Sequence, residues 1–139
     1  MKVVICEPGQ YARIAEIEPT LKAEQEIVGG LIDCVYPWPN DMVGLVCNDE
    51  GKLNGLPLNR ALEDYDVIAG TFFICGISGE NFCSLTEEQA ARYLQKFRAP
   101  EVFAQTPFGL LRMRTTPEQY QQLMAAKSQK QPNRHEPSR

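Results

Sequence analysis

Histidine and tryptophan are nearly missing from this 139-residue sequence, which has one of each, His135 and Trp38. A single histidine close to the last residue leaves the core without a histidine-activated nucleophile or a histidine metal site. Cysteine pairing is missing too. Cys6, Cys34, Cys47, Cys75 and Cys83 are odd in number, and no two are spaced as C-x-x-C. Four of them (Cys6, Cys34, Cys47, Cys75) lie in apolar, strand-like runs, where a free thiol behaves as a small hydrophobe. The pattern argues against a disulfide framework or zinc knuckle and for a reducing cytoplasm. No apolar stretch approaches the ~18 residues a membrane span needs. The run VVIC after Met1-Lys2 is too short for the apolar part of a signal peptide. Gly70, Gly76 and Gly79 do not make G-x-G-x-x-G, and no phosphate-loop lysine accompanies them.

What is present describes an ordinary globular chain. Apolar residues make up 43% and charged residues 23%, enough for one modest core. The net charge of -4 is unevenly spread. Residues 1–99 carry -7 and residues 100–139 carry +3. A body of that sign repels phosphate backbones, which disfavours nucleic acid as its partner. The basic end holds no dense Lys/Arg run and reads as solvated chain.

KVVIC is an unbroken β-branched run, as in a buried central strand. Pro8-Gly9 turns the chain, and YARIAEI returns as a second strand. EPTLKAEQEIVGG reads as a helix with Gly29 just past its end. LIDCVYP and MVGLVC are strands on either side of a turn stiffened by Pro37 and Pro39. DVIAGTFFICGI is the longest strand signal. Thr86 and Gln89 form a T-x-x-Q capping box, and Ala90, Tyr93, Leu94 and Phe97 follow as one apolar stripe. EVFAQTPFGLLRMR is apolar but irregular. Thr116-Pro117 opens a short third helix to about Lys127. The expected architecture is α+β: one mixed or antiparallel sheet of about five strands, two helices on one face, and a short C-terminal helix and tail. Residues 1–103 form the domain, 104–127 an appendage, and 128–139 a tail without structure.

The polar stretch NDEGKLNGLPLNR, Asn48 to Arg60, is the most pointed feature. Asn48 through Lys52 fit a three-residue hairpin loop with Gly51 in the left-handed position. LNGLPLNR is too broken for a regular strand, yet Leu53, Leu56 and Leu58 are spaced to pin it to the core. Asn54, Asn59 and Arg60 would then be held in fixed geometry, with Arg60 offering a five-donor fork to carboxylate or phosphate. The competing reading is that Asn59 and Arg60 brace the loop on backbone carbonyls or on Asp64 and Asp66. Gly70, inside an aromatic run beside Thr71, marks a bulge or a close approach to backbone. The candidate ligand or partner residues are therefore Asn54, Asn59, Arg60, Gly70 and Thr71. Catalytic signals are thin. Cys47 and Cys83 have no base placed by spacing, and Asp49-Glu50 and Glu87-Glu88 fit a turn and a helix first turn. No catalytic residue, metal site or cofactor is expected.

VVICEPG, LKAEQEIVGGLID, LVCNDEGKLNGLPLNRAL, DVIAGTFFICG and FCSLTEEQAARYLQKF, in that order, resemble an uncharacterised domain family. Its members are carried by phages, plasmids and conjugative elements of Firmicutes and related gut bacteria. The resemblance covers residues 1 to about 103. It implies a mobile-element accessory protein and supplies no catalytic residues. The expected function is a non-enzymatic protein that binds a host or element-encoded protein, in one form against host defence. The alternative is a binder that sequesters a small nucleotide-like ligand, and an enzyme of unknown type ranks third. Oligomeric state is not readable from the sequence.

Overall fold

The computed structural model describes residues 1–135, with side chains to residue 127. In chain order the elements are β1 (Lys2–Cys6), β2 (Arg13–Glu16), α1 (Leu21–Val28), β3 (Ile32–Val35) and β4 (Val43–Asn48). Then come β5 (Leu58–Leu62), β6 (Asp66–Ala69), β7 (Phe72–Ser78), β8 (Asn81–Cys83) and α2 (Glu87–Lys96). A hairpin of β9 (Glu101–Thr106) and β10 (Gly109–Arg114) and the helix α3 (Pro117–His135) complete the chain. The class is α+β, as expected. The main sheet runs β2-β1-β7-β4-β3, antiparallel throughout, with β8 paired to the end of β7.

The central strands are apolar on both sides, so both faces of the sheet need cover. Alternate residues divide between two clusters. Val4, Cys6, Leu45, Phe72 and Ile74 pack with Ala90 and Tyr93 of α2 and with Phe97, the residue that caps its end. Val3, Ile5, Val46, Phe73 and Cys75 pack with Val28 of α1. The two helices therefore lie on opposite faces, which corrects the expected one-sided arrangement. Each branched or aromatic side chain buried this way contributes about 1.5–3 kcal/mol. Both helix starts are set locally. Thr20 Oγ1 accepts from Ala23 N at 3.2 Å, and Thr86 with Gln89 closes the full capping box.

Several local expectations are also corrected. DVIAGTFFICGI is two strands, because Gly70 at φ 84° breaks the run. β6 pairs with β5 in a separate ribbon, while β7 joins the main sheet. LNGLPLNR is part strand: Leu58–Leu62 is β5, with a bulge between Leu58 and Arg60. The supposed anchor Leu53 is 82% exposed. EVFAQTPFGLLRMR is a regular hairpin, and α3 continues past Lys127 to His135. Residues 136–139 of the expected tail lie outside the described residues.

Candidate functional site

Asn59 and Arg60 sit in the interior, both at 0% exposure. Asn59 Nδ2 donates to Cys6 O and to Gly70 O, each at 2.8 Å. Arg60 Nε donates to Phe97 O at 3.0 Å, one Nη to Asn59 Oδ1 at 2.8 Å and to Glu7 O at 3.5 Å, and the other Nη to Gln10 O at 2.7 Å. The guanidinium thus ties the end of α2 to the β1–β2 turn and to β5. Desolvation lowers its pKa from the ordinary arginine value. This is the geometry of a brace, the second of the two roles open from the sequence. Shorter polar groups would not serve here, because the acceptors come from separate segments and need the reach and fork of arginine. The structure brings Asn59, Arg60 and Gly70 together, but inward. Asn54 is exposed on the preceding turn, and Thr71 is half-buried.

The first half of the polar stretch forms one wall of a cleft, with Asp49, Glu50 and Lys52 exposed and Asn48 and Gly51 buried beneath them. At the β3 edge the ribbon β5–β6 stands off the sheet and leaves a cleft of about 400 Å³. Its apolar lining includes Val35, Leu62 and Ile68, and its rim carries Asp33, Asp49 and Glu50. Local bonds shape the loop. Asn48 Oδ1 accepts from Glu50 N at 2.8 Å, and its Nδ2 reaches Val28 O at 3.1 Å. Gly51 is not the left-handed residue; that is Gly55, at φ 73°. Gly51 is needed for a different reason, since a Cβ there would stand 2.6 Å from Ala69 O. Lys52 pairs with Asp66 across the cleft, so that carboxylate is held below its usual range although burial opposes the shift. Among the described residues Asp33, Asp49 and Glu50 have no cation within ion-pair distance. Cys47 also lines this cleft. Burial pushes its thiol up to about 11, with Asp33 adding to the effect, so it stays protonated at neutral pH.

A second surface feature is centred on Trp38, which in the sequence marks only a turn stiffened by Pro37 and Pro39. Trp38 packs against Tyr93 with the rings tilted by 38° and centroids 4.8 Å apart, and its Nε1 donates to Glu63 at 3.0 Å. Glu63 also pairs with Lys96 at 2.8 Å. Asp41 takes bonds from Arg92 and from the Tyr93 hydroxyl. Burial alone would raise Asp41, but these bonds outweigh it and hold the carboxyl below its usual range. Met42 and Glu63 have positive φ, 53° and 52°. The network clamps the turn before β4 onto α2, and its charges answer one another.

Residues 1–98 match a family model described as Domain of unknown function (DUF3846). The chain belongs to this family. The matched segment holds the main sheet, both of its helices, the acidic cleft and the Trp38 network, and it stops short of the β9–β10 hairpin. No curated protein and no solved structure matches the chain. Among the described residues no group of three or more His, Cys, Asp or Glu is placed to hold a metal ion. No described helix is long and apolar enough to cross a membrane.

Proposed function

We propose that the chain is a non-enzymatic accessory protein of a mobile element that binds a basic segment of a host or element-encoded protein, in a reducing cytoplasm. The observation that carries this reading is the cleft, where Asp33, Asp49 and Glu50, with no cation in ion-pair distance among the described residues, join an apolar lining. Lysine and arginine suit such a site, because their stems cover apolar surface while the charged head meets carboxylate. Leu53 and Tyr65, 82% and 65% exposed on the same cleft, supply further contact area. The -7 charge of residues 1–99 steers a basic partner toward this body. Five free cysteines, three of them with thiols raised to about 11 or 12 by burial, support the reducing compartment.

A small ligand is the second reading, favoured by the cleft volume, which falls in the range of small-molecule sites. Such a ligand would be cationic. Arg60, the donor a nucleotide-like ligand would need, is spent on backbone carbonyls. The test is a calorimetric titration of the full chain with an arginine-rich peptide, a glutamate-rich peptide and spermine, at two salt concentrations. The arginine-rich peptide is expected to bind, more weakly at higher salt, and to lose at least tenfold in affinity to the triple variant Asp33→Asn, Asp49→Asn, Glu50→Gln. Equal binding by the variant overturns the assignment of the site. Tight binding of spermine alone favours the second reading.

A further inference from the structure

The β9–β10 hairpin exposes more apolar surface than a settled edge of a sheet should. All six residues of β10 are exposed. Leu110, Leu111 and Met113 are 45%, 49% and 48% exposed, and Phe108 at the turn is 100% exposed. Among the described residues the ribbon has only two strands, which leaves the outer edge of β10 without a partner strand there. A two-stranded ribbon is marginal in water, and a bare apolar edge invites another strand.

We propose that β10 pairs with β10 of a second copy of this chain, antiparallel, about a two-fold axis at Leu111. The phase of the hairpin decides which groups are available. Gly109 pairs with Thr106, Thr106 Oγ1 donates to Gly109 O, and Thr115 N donates to Pro100 O at 2.8 Å. Odd-numbered residues therefore direct their backbone groups to β9. The N–H and C=O groups of Leu110, Arg112 and Arg114 point to the open edge and must form any new ladder. Two symmetric registers satisfy them with long overlap. An axis at Arg112 sets that residue against its own copy, and like charges directly opposite are unfavourable. An axis at Leu111 sets leucine against leucine as a close, non-hydrogen-bonded pair. It places Arg112 opposite Leu110 and Arg114 opposite Phe108, whose ring face suits a guanidinium. Arg112 is already partnered by Glu101 at 3.6 Å. The strand is thus complementary to itself in one register, and the two-fold closes the assembly without leaving a second free β10 edge. The dimer stands independently of what the acidic cleft binds.

Sedimentation velocity on the full chain tests this, together with engineered cross-linking. The wild type is expected at twice the chain mass of 15.7 kDa. Leu111→Lys is expected to run as a monomer with an unchanged far-ultraviolet spectrum. Leu31→Lys, at a site 66% exposed on another part of the surface, is expected to remain a dimer. In a separate variant, Leu111→Cys, mild oxidation should give a disulfide-linked dimer, because opposite α-carbons of a close pair stand about 4.5 Å apart. Met113→Cys should not, since Met113 faces Gly109 of the second copy. A monomeric wild type at every protein concentration overturns the proposal. So does a dimer that survives Leu111→Lys, or cross-linking that is equal for the two cysteine variants. Doubling of mass only on adding a peptide with an acidic, extended sequence would assign the edge to a foreign strand instead.

Discussion

Arg60 shows how far a side chain's role can depend on where its acceptors lie. Its donors meet three backbone carbonyls and the Asn59 side chain, and no carboxylate lies within ion-pair distance among the described residues. Removing it would orphan carbonyls in the interior, at about 1–3 kcal/mol for each that water cannot reach. Arg60→Ala is expected to lose about 3 kcal/mol in a denaturant titration. Binding through the cleft should persist, once corrected for folded fraction. A loss below about 0.5 kcal/mol would contradict the brace. The sequence leaves brace and binding site open together, because an arginine next to an asparagine looks the same whether it faces a cavity or a set of carbonyls. The acidic loop was more legible. Its charge and turn residues marked it as surface, although Gly51 was given the role that Gly55 fills, since both glycines suit a tight turn and only the packing against Ala69 separates them.

At the scale of elements, signals that are local in sequence were readable. The Thr86–Gln89 capping box and the apolar stripe of α2 each lie within a few residues, and both stand as read. The placement of the helices was not readable. Strands that are apolar on both sides say that each face is covered, not which helix covers it. The hairpin was missed for a related reason. Its strands lack alternation because β10 has no buried face to impose it. Beyond the family segment, α3 is fastened to the body through Tyr120, whose ring occupies the space where a Cβ on Gly9 would stand, 2.3 Å from Cδ1. Burial also raises the pKa of the Tyr120 phenol. Tyr120→Ala is expected to cost about 1–2 kcal/mol and to speed proteolysis within residues 117–127 before the main sheet yields. A variant with the wild-type midpoint and cleavage pattern would show that the helix does not dock there.

The whole molecule combines an acidic body with three ion pairs, at Asp41, Glu63 and Asp66, whose carboxylates are held below their ordinary range, and these set the sign of its acid response. Asp41, Glu63 and Asp66 are all depressed: Glu63 chiefly by bonds from Lys96 and Trp38, the other two by bonds that outweigh burial. A depressed folded-state pKa contributes stability above the unfolded value, and that stability is lost as pH falls through the folded value. The melting temperature is therefore expected to fall as pH drops below about 4. Glu24 has the opposite sign. Burial raises its pKa, so its contribution is present at low pH and lost as pH rises through the folded value. Glu24→Gln is expected to raise the melting temperature at pH 7 and to have little effect near pH 4. A variant that melts lower at pH 7 would show that the ionised group is favourably held.

If Asp33, Asp49 and Glu50 receive the basic groups of a protein partner, zero-length carbodiimide coupling should join those carboxylates to it. The reagent joins a carboxylate to an amine only when the two touch. Coupling is done in an extract of the source cells, with the tagged full chain and the triple cleft variant side by side, and the joined peptides are read by mass spectrometry. The expected result is one recurrent partner whose lysines are joined to Asp33, Asp49 or Glu50, and the loss of that partner from the triple variant. A partner joined elsewhere and recovered equally by the variant would contradict it.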